Sequence, residues 1–178
     1  QNNVFLDTPA SVTYSIQPNL KDTKIENHYT LGARDVIEIK VMHHPEISGQ
    51  YIINKEGFIQ YEFLGDINVS GLTKKESTKK IIKKVEQFIP APEIRVKIVG
   101  YNSKVVYIIG EVGRPGKIFM EGNEITVREV LIQAGLPLLT AEASKSLLLT
   151  PMEDGKVKSK SVDVKKLLFE GDSSQNYI

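Results

Sequence analysis

The sequence predicts an α+β protein of two small, strand-rich units, each built on mixed or antiparallel strands with one capped helix. Three observations carry this. Short runs with a period of two recur along the chain, as half-buried strands require. Two Thr-x-x-Glu boxes, Thr73 to Glu76 and Thr126 to Glu129, each open an amphipathic segment. Gly100-Tyr101-Asn102-Ser103 interrupts the pattern between them and places the seam. The predicted organisation is an extended arm over 1–28, a first unit over 29–101 and a second over 102–178.

The arm is rich in Asn, Ser, Thr and Pro. In the first unit, Val36–Val41 sets Ile37, Ile39 and Val41 on one face against Glu38 and Lys40. Tyr51–Ile53 and Phe58–Phe63 flank Asn54-Lys55-Glu56-Gly57, which predicts a hairpin turn between them. Leu64-Gly65-Asp66 predicts a second turn before a strand at Ile67–Val69. The helix after Thr73 is expected to bury Ile81, Ile82, Val85, Phe88 and Ile89 and to stop at Pro90 and Pro92. Glu93–Val99 alternates Ile94, Val96 and Ile98 with charged residues.

In the second unit, Val105–Ile109 reads as a more fully buried strand. The Gly/Pro-rich run from Gly110 to Gly116 leads into a strand at Lys117–Met120. The helix after Thr126 turns Val127, Val130, Leu131 and Ala134 inward and closes at Gly135. Leu147–Thr150 and Val157–Val164 form a hairpin around Glu153-Asp154-Gly155, and Lys165–Phe169 makes one helical turn.

Composition excludes several function classes. The 23 basic and 22 acidic residues leave a net charge of +1, and only four of the basic residues are Arg. Neither favours nucleic acid. No cysteine is present, so there is no disulfide or thiol chemistry and no zinc site of the cysteine type. No apolar run reaches the ~18–20 residues of a spanning helix. His43-His44-Pro45-Glu46 is the one metal-capable cluster, but adjacent residues on an extended segment point apart. Asp35 and Glu38 lie three apart on a strand, a poor geometry for paired-carboxylate catalysis. There is no Gly-x-Ser-x-Gly elbow and no phosphate loop. No catalytic residue, metal ligand or cofactor is expected. The helix after Thr73 carries Lys74, Lys75, Lys79, Lys80, Lys83 and Lys84 against Glu76 and Glu86. Lys79, Lys80 and Lys83 are the candidates for contact with an anionic polysaccharide or a neighbouring subunit.

An ordered set of motifs resembles a known family. Tyr29 to Val41 resembles the opening of the polysaccharide export domain of Wza-like outer-membrane proteins. Pro45-Glu46-Ile47-Ser48-Gly49, Glu56-Gly57-Phe58-Ile59, Leu64-Gly65-Asp66-Ile67 and Val69-Ser70-Gly71-Leu72-Thr73 follow in the family's order. Val106 to Val112, Arg114-Pro115-Gly116, Ala134-Gly135, Val162-Asp163-Val164 and Gly171-Asp172 are similar to the soluble-ligand-binding β-grasp (SLBB) domain that comes next in such proteins. The family's Gly-Pro-Gly-Asp-like start is here Gly32-Ala33-Arg34-Asp35. Family members carry a further Pro-Gly-Asp-containing strand after the position of Ile178, and many have an N-terminal lipidated cysteine.

The resemblance implies a non-enzymatic, ring-forming homo-oligomer at the periplasmic face of the outer membrane, octameric in some members. It implies an exopolysaccharide or capsular cargo and an inner-membrane copolymerase or tyrosine kinase as partner. The alternative reading is a monomeric periplasmic glycan-binding module that forms no pore.

Overall fold

The computed structural model describes residues 29–61, 64–152 and 154–178. The expected arm, residues 1–28, lies outside the described residues. The chain is α+β, built from short antiparallel ladders and a few helices.

β1 (Val36–Val41) is the centre of a three-stranded sheet, flanked by β2 (Gly49–Ile52) and β5 (Ile94–Gly100). Ile37 lies opposite Ile98, Ile39 opposite Val96 and Val41 opposite Ile94. The alternation seen in the sequence therefore makes one continuous apolar face. Ile37 and Ile39 are fully buried on it. On the other face Glu38 stands opposite Lys97. The antiparallel pair β3 (Phe58–Tyr61) and β4 (Gly65–Asn68) supplies Ile59, Tyr61 and Ile67 to the same core. Helix α1 (Lys74–Val85) lies against β5 and contributes Ile81 and Val85. A single 3-10 turn, Pro45–Ile47, follows β1. Ser48 Oγ accepts from Val41 N–H at 2.9 Å and donates to His44 C=O at 2.8 Å, which ties that turn to the strand end.

The second core gathers Val112, Ile118, Leu131, Ala134, Val162, Val164 and Leu167. It lies among β6 (Val105–Ile108) with β7 (Gly116–Phe119), helix α2 (Val127–Gln133), β8 (Ser146–Pro151) with β9 (Val157–Val162), and helix α3 (Val164–Phe169). The Gly/Pro-rich run closes α2 rather than holding a phosphate. Arg114 N–H donates to Ala134 C=O at 2.7 Å and Gly113 N–H to Leu136 C=O at 3.0 Å. The first satisfies the C-cap carbonyl of α2, which has no partner inside the helix, and the second holds the segment just after it. A Cβ on Gly113 would fall 2.8 Å from the Gly135 carbonyl oxygen, so only glycine permits this approach.

Several sequence expectations are corrected. The strands flanking Asn54–Gly57 do not pair with each other. Arg34 N–H donates to Ile53 C=O and Ile53 N–H to Asp35 C=O, so the ladder of β2 with β1 runs on to residue 53 and leaves β3 to pair with β4. β4 begins at Gly65, earlier than Ile67. α1 ends at Val85, well before Pro90, so Phe88 leaves the inward stripe and is exposed. β6 ends at Ile108 and is only half-buried, because among the described residues β7 is its one ladder partner; Ile109 beyond it is 91% exposed. β9 ends at Val162 because Asp163 caps α3, its carboxylate accepting from Lys166 N–H at 3.0 Å.

Candidate functional site

The lysine face is set by the cap of α1. Thr73 Oγ1 accepts from Glu76 N–H at 3.3 Å, and the Glu76 carboxylate accepts from Thr73 N–H at 2.8 Å. These bonds hold the Glu76 carboxyl below its usual range, the Thr73 backbone N–H first, with a smaller contribution from the charge of Lys79. The cap fixes the phase of the helix. Ser77, Ile81 and Val85 turn inward, and Lys79, Lys80 and Lys83 turn to solvent. Among the described residues none of the three forms an ion pair. Lys79 and Lys83 stand four apart and Lys80 and Lys83 three apart on one surface. Each like-charge pair of that kind costs an isolated helix about 0.2–0.5 kcal/mol.

The polar centre of the molecule is elsewhere, at Asp35. Its carboxylate is fully buried and accepts five hydrogen bonds. Oδ1 takes the N–H groups of Asn102 at 2.7 Å and Ser103 at 2.8 Å. Oδ2 takes the Tyr29 hydroxyl at 2.8 Å, the Ser103 hydroxyl at 2.9 Å and Gly32 N–H at 2.9 Å. Lys104 Nζ lies 4.2 Å from the centre of the Tyr29 ring and donates to the Thr30 carbonyl. Burial pushes the Lys104 ammonium below its ordinary value, and the Asp35 charge opposes that shift. Every carboxylate lone pair here is engaged by the protein itself, so Asp35 is a structural acceptor and not a poised base.

Two buried phenols have a consequence for stability. Burial is the main cause that raises the hydroxyls of Tyr29 and Tyr61 above the usual tyrosine value of 10.0. Tyr61 donates to Ile47 C=O at 2.6 Å. Above pH 10 the unfolded chain loses phenol protons that the folded chain keeps, so stability falls as pH rises. The urea midpoint is expected to hold up to about pH 9 and drop by pH 11. Tyr61→Phe should lessen the drop, and a midpoint flat to pH 11 would contradict the argument.

An open cleft of about 800 Å³ lies between the two strand pairs of the second core. It is lined by successive residues of β6, Val106 to Ile108, and by all of β8. A strand face would contribute alternate residues, so these are strand edges. The rest of the lining is mainly aliphatic, including Val130, Leu131 and Val164. Such a surface leaves the hydroxyls of a hydrated glycan short of partners.

His44 Nδ1 lies 2.8 Å from the Glu46 carboxylate in an exposed loop, which gives both a local role. His28 lies outside the described residues. Among the described residues no group of three or more His, Asp or Glu could hold a metal. No helix among them is long and apolar enough to cross a membrane.

Residues 23–99 match the family described as polysaccharide biosynthesis/export protein. Over those residues the chain is similar to the polysaccharide export family. The export region so defined contains the whole of α1 and its lysine face, and Asp35, but stops short of Asn102 and Ser103. The chain is also similar to two proteins named EPS I polysaccharide export outer membrane protein EpsA. That of Ralstonia nicotianae is 28% identical over 131 residues, covering 60% of this chain and 34% of the relative. That of Ralstonia solanacearum is 27% identical over 130 residues, with the same coverage. The chain thus spans about a third of the length of the curated relatives it matches.

Lys79, Lys80 and Lys83, the contact candidates of the sequence, are exposed on α1. Sequence reasoning missed the Asp35 cluster. The signal available was Asp35 itself, a charged residue directly before an apolar strand, with Tyr29 and Gly32 upstream.

Proposed function

We propose that this chain is the periplasmic portion of a ring-forming component of an outer-membrane channel that exports a capsular or extracellular polysaccharide. The observation that carries the reading is the family match over residues 23–99, supported by outer-membrane export relatives. The chain works without covalent chemistry. A hydrated glycan passes along a wide, wetted lumen, and an inner-membrane copolymerase or its tyrosine kinase delivers it. Residues 102–178 serve as the SLBB domain. The engaged Asp35 and the histidine paired within its own loop are consistent with a non-catalytic role.

Deleting the protein in its host should abolish surface polysaccharide while synthesis continues. The full-length protein in detergent should sediment as a closed oligomer. Normal surface polysaccharide on deletion, together with a monomer at every concentration, would remove the reading.

Lys79, Lys80 and Lys83 form the contact face for an anionic glycan or an adjoining subunit. Lys79→Glu, Lys80→Glu and Lys83→Glu together should cut binding of an anionic polysaccharide by about tenfold or more in low salt, with the fold unchanged. The difference should shrink at high salt. Unchanged binding, unchanged assembly and unchanged export would rule this face out.

A further inference from the structure

We infer that the Asp35 carboxylate, with Gly32 and Ser103 pressed together beside it, is a clamp that fixes the orientation of residues 105–178 relative to residues 29–101. Connections between units are usually loosely held and allow relative motion. Here the connection is pinned at successive residues. Asn102 and Ser103 give their backbone N–H groups to one oxygen of Asp35, which fixes the direction in which the chain leaves the first unit. The Asn102 side-chain amide donates to Arg34 C=O at 3.1 Å. Lys104 reaches back to the Thr30 carbonyl and hydroxyl. Thr30 N–H in turn donates to the Asn123 side chain, well inside the second unit, at 3.0 Å. The ring of Tyr101 meets Tyr29 edge-on at 4.8 Å between centres.

Gly32 makes the clamp close. A Cβ on it would fall 2.6 Å from Ser103 Cβ and 2.7 Å from Ser103 Oγ. The Ser103 Cβ is fixed to the backbone, so it cannot step aside without moving residues 102–104. Gly32→Ala should therefore wedge the connection away from Asp35, and Ser103→Gly in the same chain should remove both clashing atoms while keeping the two backbone donors.

The test is residual dipolar couplings on the full chain. The wild-type couplings from both units should fit one alignment tensor. Gly32→Ala should need two, and Gly32→Ala with Ser103→Gly should return to one. If Gly32→Ala does not fold, Asp35→Ala gives the same readout. It removes the oxygen that holds the Asn102 and Ser103 N–H groups, and it too should need two tensors. Two tensors in the wild type overturn the inference. So does a common tensor at the wild-type angle in Gly32→Ala, or in Asp35→Ala where that variant replaces it, and so does a double variant that still needs two.

Discussion

Asp35→Ala is expected to cost about 3–5 kcal/mol of stability, the sum of several donors left partly unsatisfied at once. The magnitude follows from what is left behind. The change strips the acceptor from three backbone N–H groups and two hydroxyls at once. A buried donor without a partner costs about 1–3 kcal/mol, but Asn102 and Ser103 are only half-buried, so water relieves part of the loss. The two hydroxyls can rotate toward each other, since Tyr29 and Ser103 lie 2.9 Å apart. Gly32 N–H is half-buried as well and keeps some access to water. Asp35→Asn should fall between the wild type and Ala. Its amide oxygen can still accept from Asn102 and Ser103, but its NH₂ would then face Gly32 N–H, donor against donor. Urea midpoints for the three proteins check the order. A loss under about 1 kcal/mol for Ala would show that the carboxylate only fills space.

Leu167→Ala should unfold the second unit and spare the first. Leu167 is 1% exposed, and truncating a buried leucine costs about 2–5 kcal/mol. The second core has seven buried apolar side chains against fifteen in the first. A core of that size rarely supplies more than about 3–5 kcal/mol, so the substitution removes most of it. Amide exchange should lose protection across residues 105–178 and keep it in β1, β5 and α1. Simultaneous loss in both halves would show instead that the two cores unfold as one cooperative unit.

How much of this was legible depended on how far apart the interacting residues lie. Both helix caps were legible because a capping box is closed by residues three apart, and Thr73 with Glu76 and Thr126 with Glu129 contain the whole interaction. The core faces of β1 and β5 were legible because alternation is local. Pairing was not. The turn at Asn54–Gly57 has the composition of a hairpin, and only the competing ladder with β1 sends its two arms to different sheets. Phe88 was misplaced because α1 frays after Val85, where neither proline acts directly. The lysine face was legible as a face, since exposure follows from the helix phase. The Asp35 cluster was not, because the donors that complete it, Asn102 and Ser103, are 67 and 68 residues away and no periodicity marks them.

The edges of β6 and β8 across their cleft have a consequence for solution work. An unpaired strand edge will accept any extended chain that offers its N–H and C=O groups in register. Leu147 and Leu149 on β8 and Tyr107 on β6 are large, exposed apolar side chains on these edge strands. Concentrated protein should therefore have a second route to association, open-ended stacking that grows with concentration and time. A ring closes at a fixed number of subunits and stops. Sedimentation over a tenfold dilution separates the two by whether the particle size stays constant, and charged substitutions at Leu147 and Leu149 should suppress the stacking and leave a ring intact.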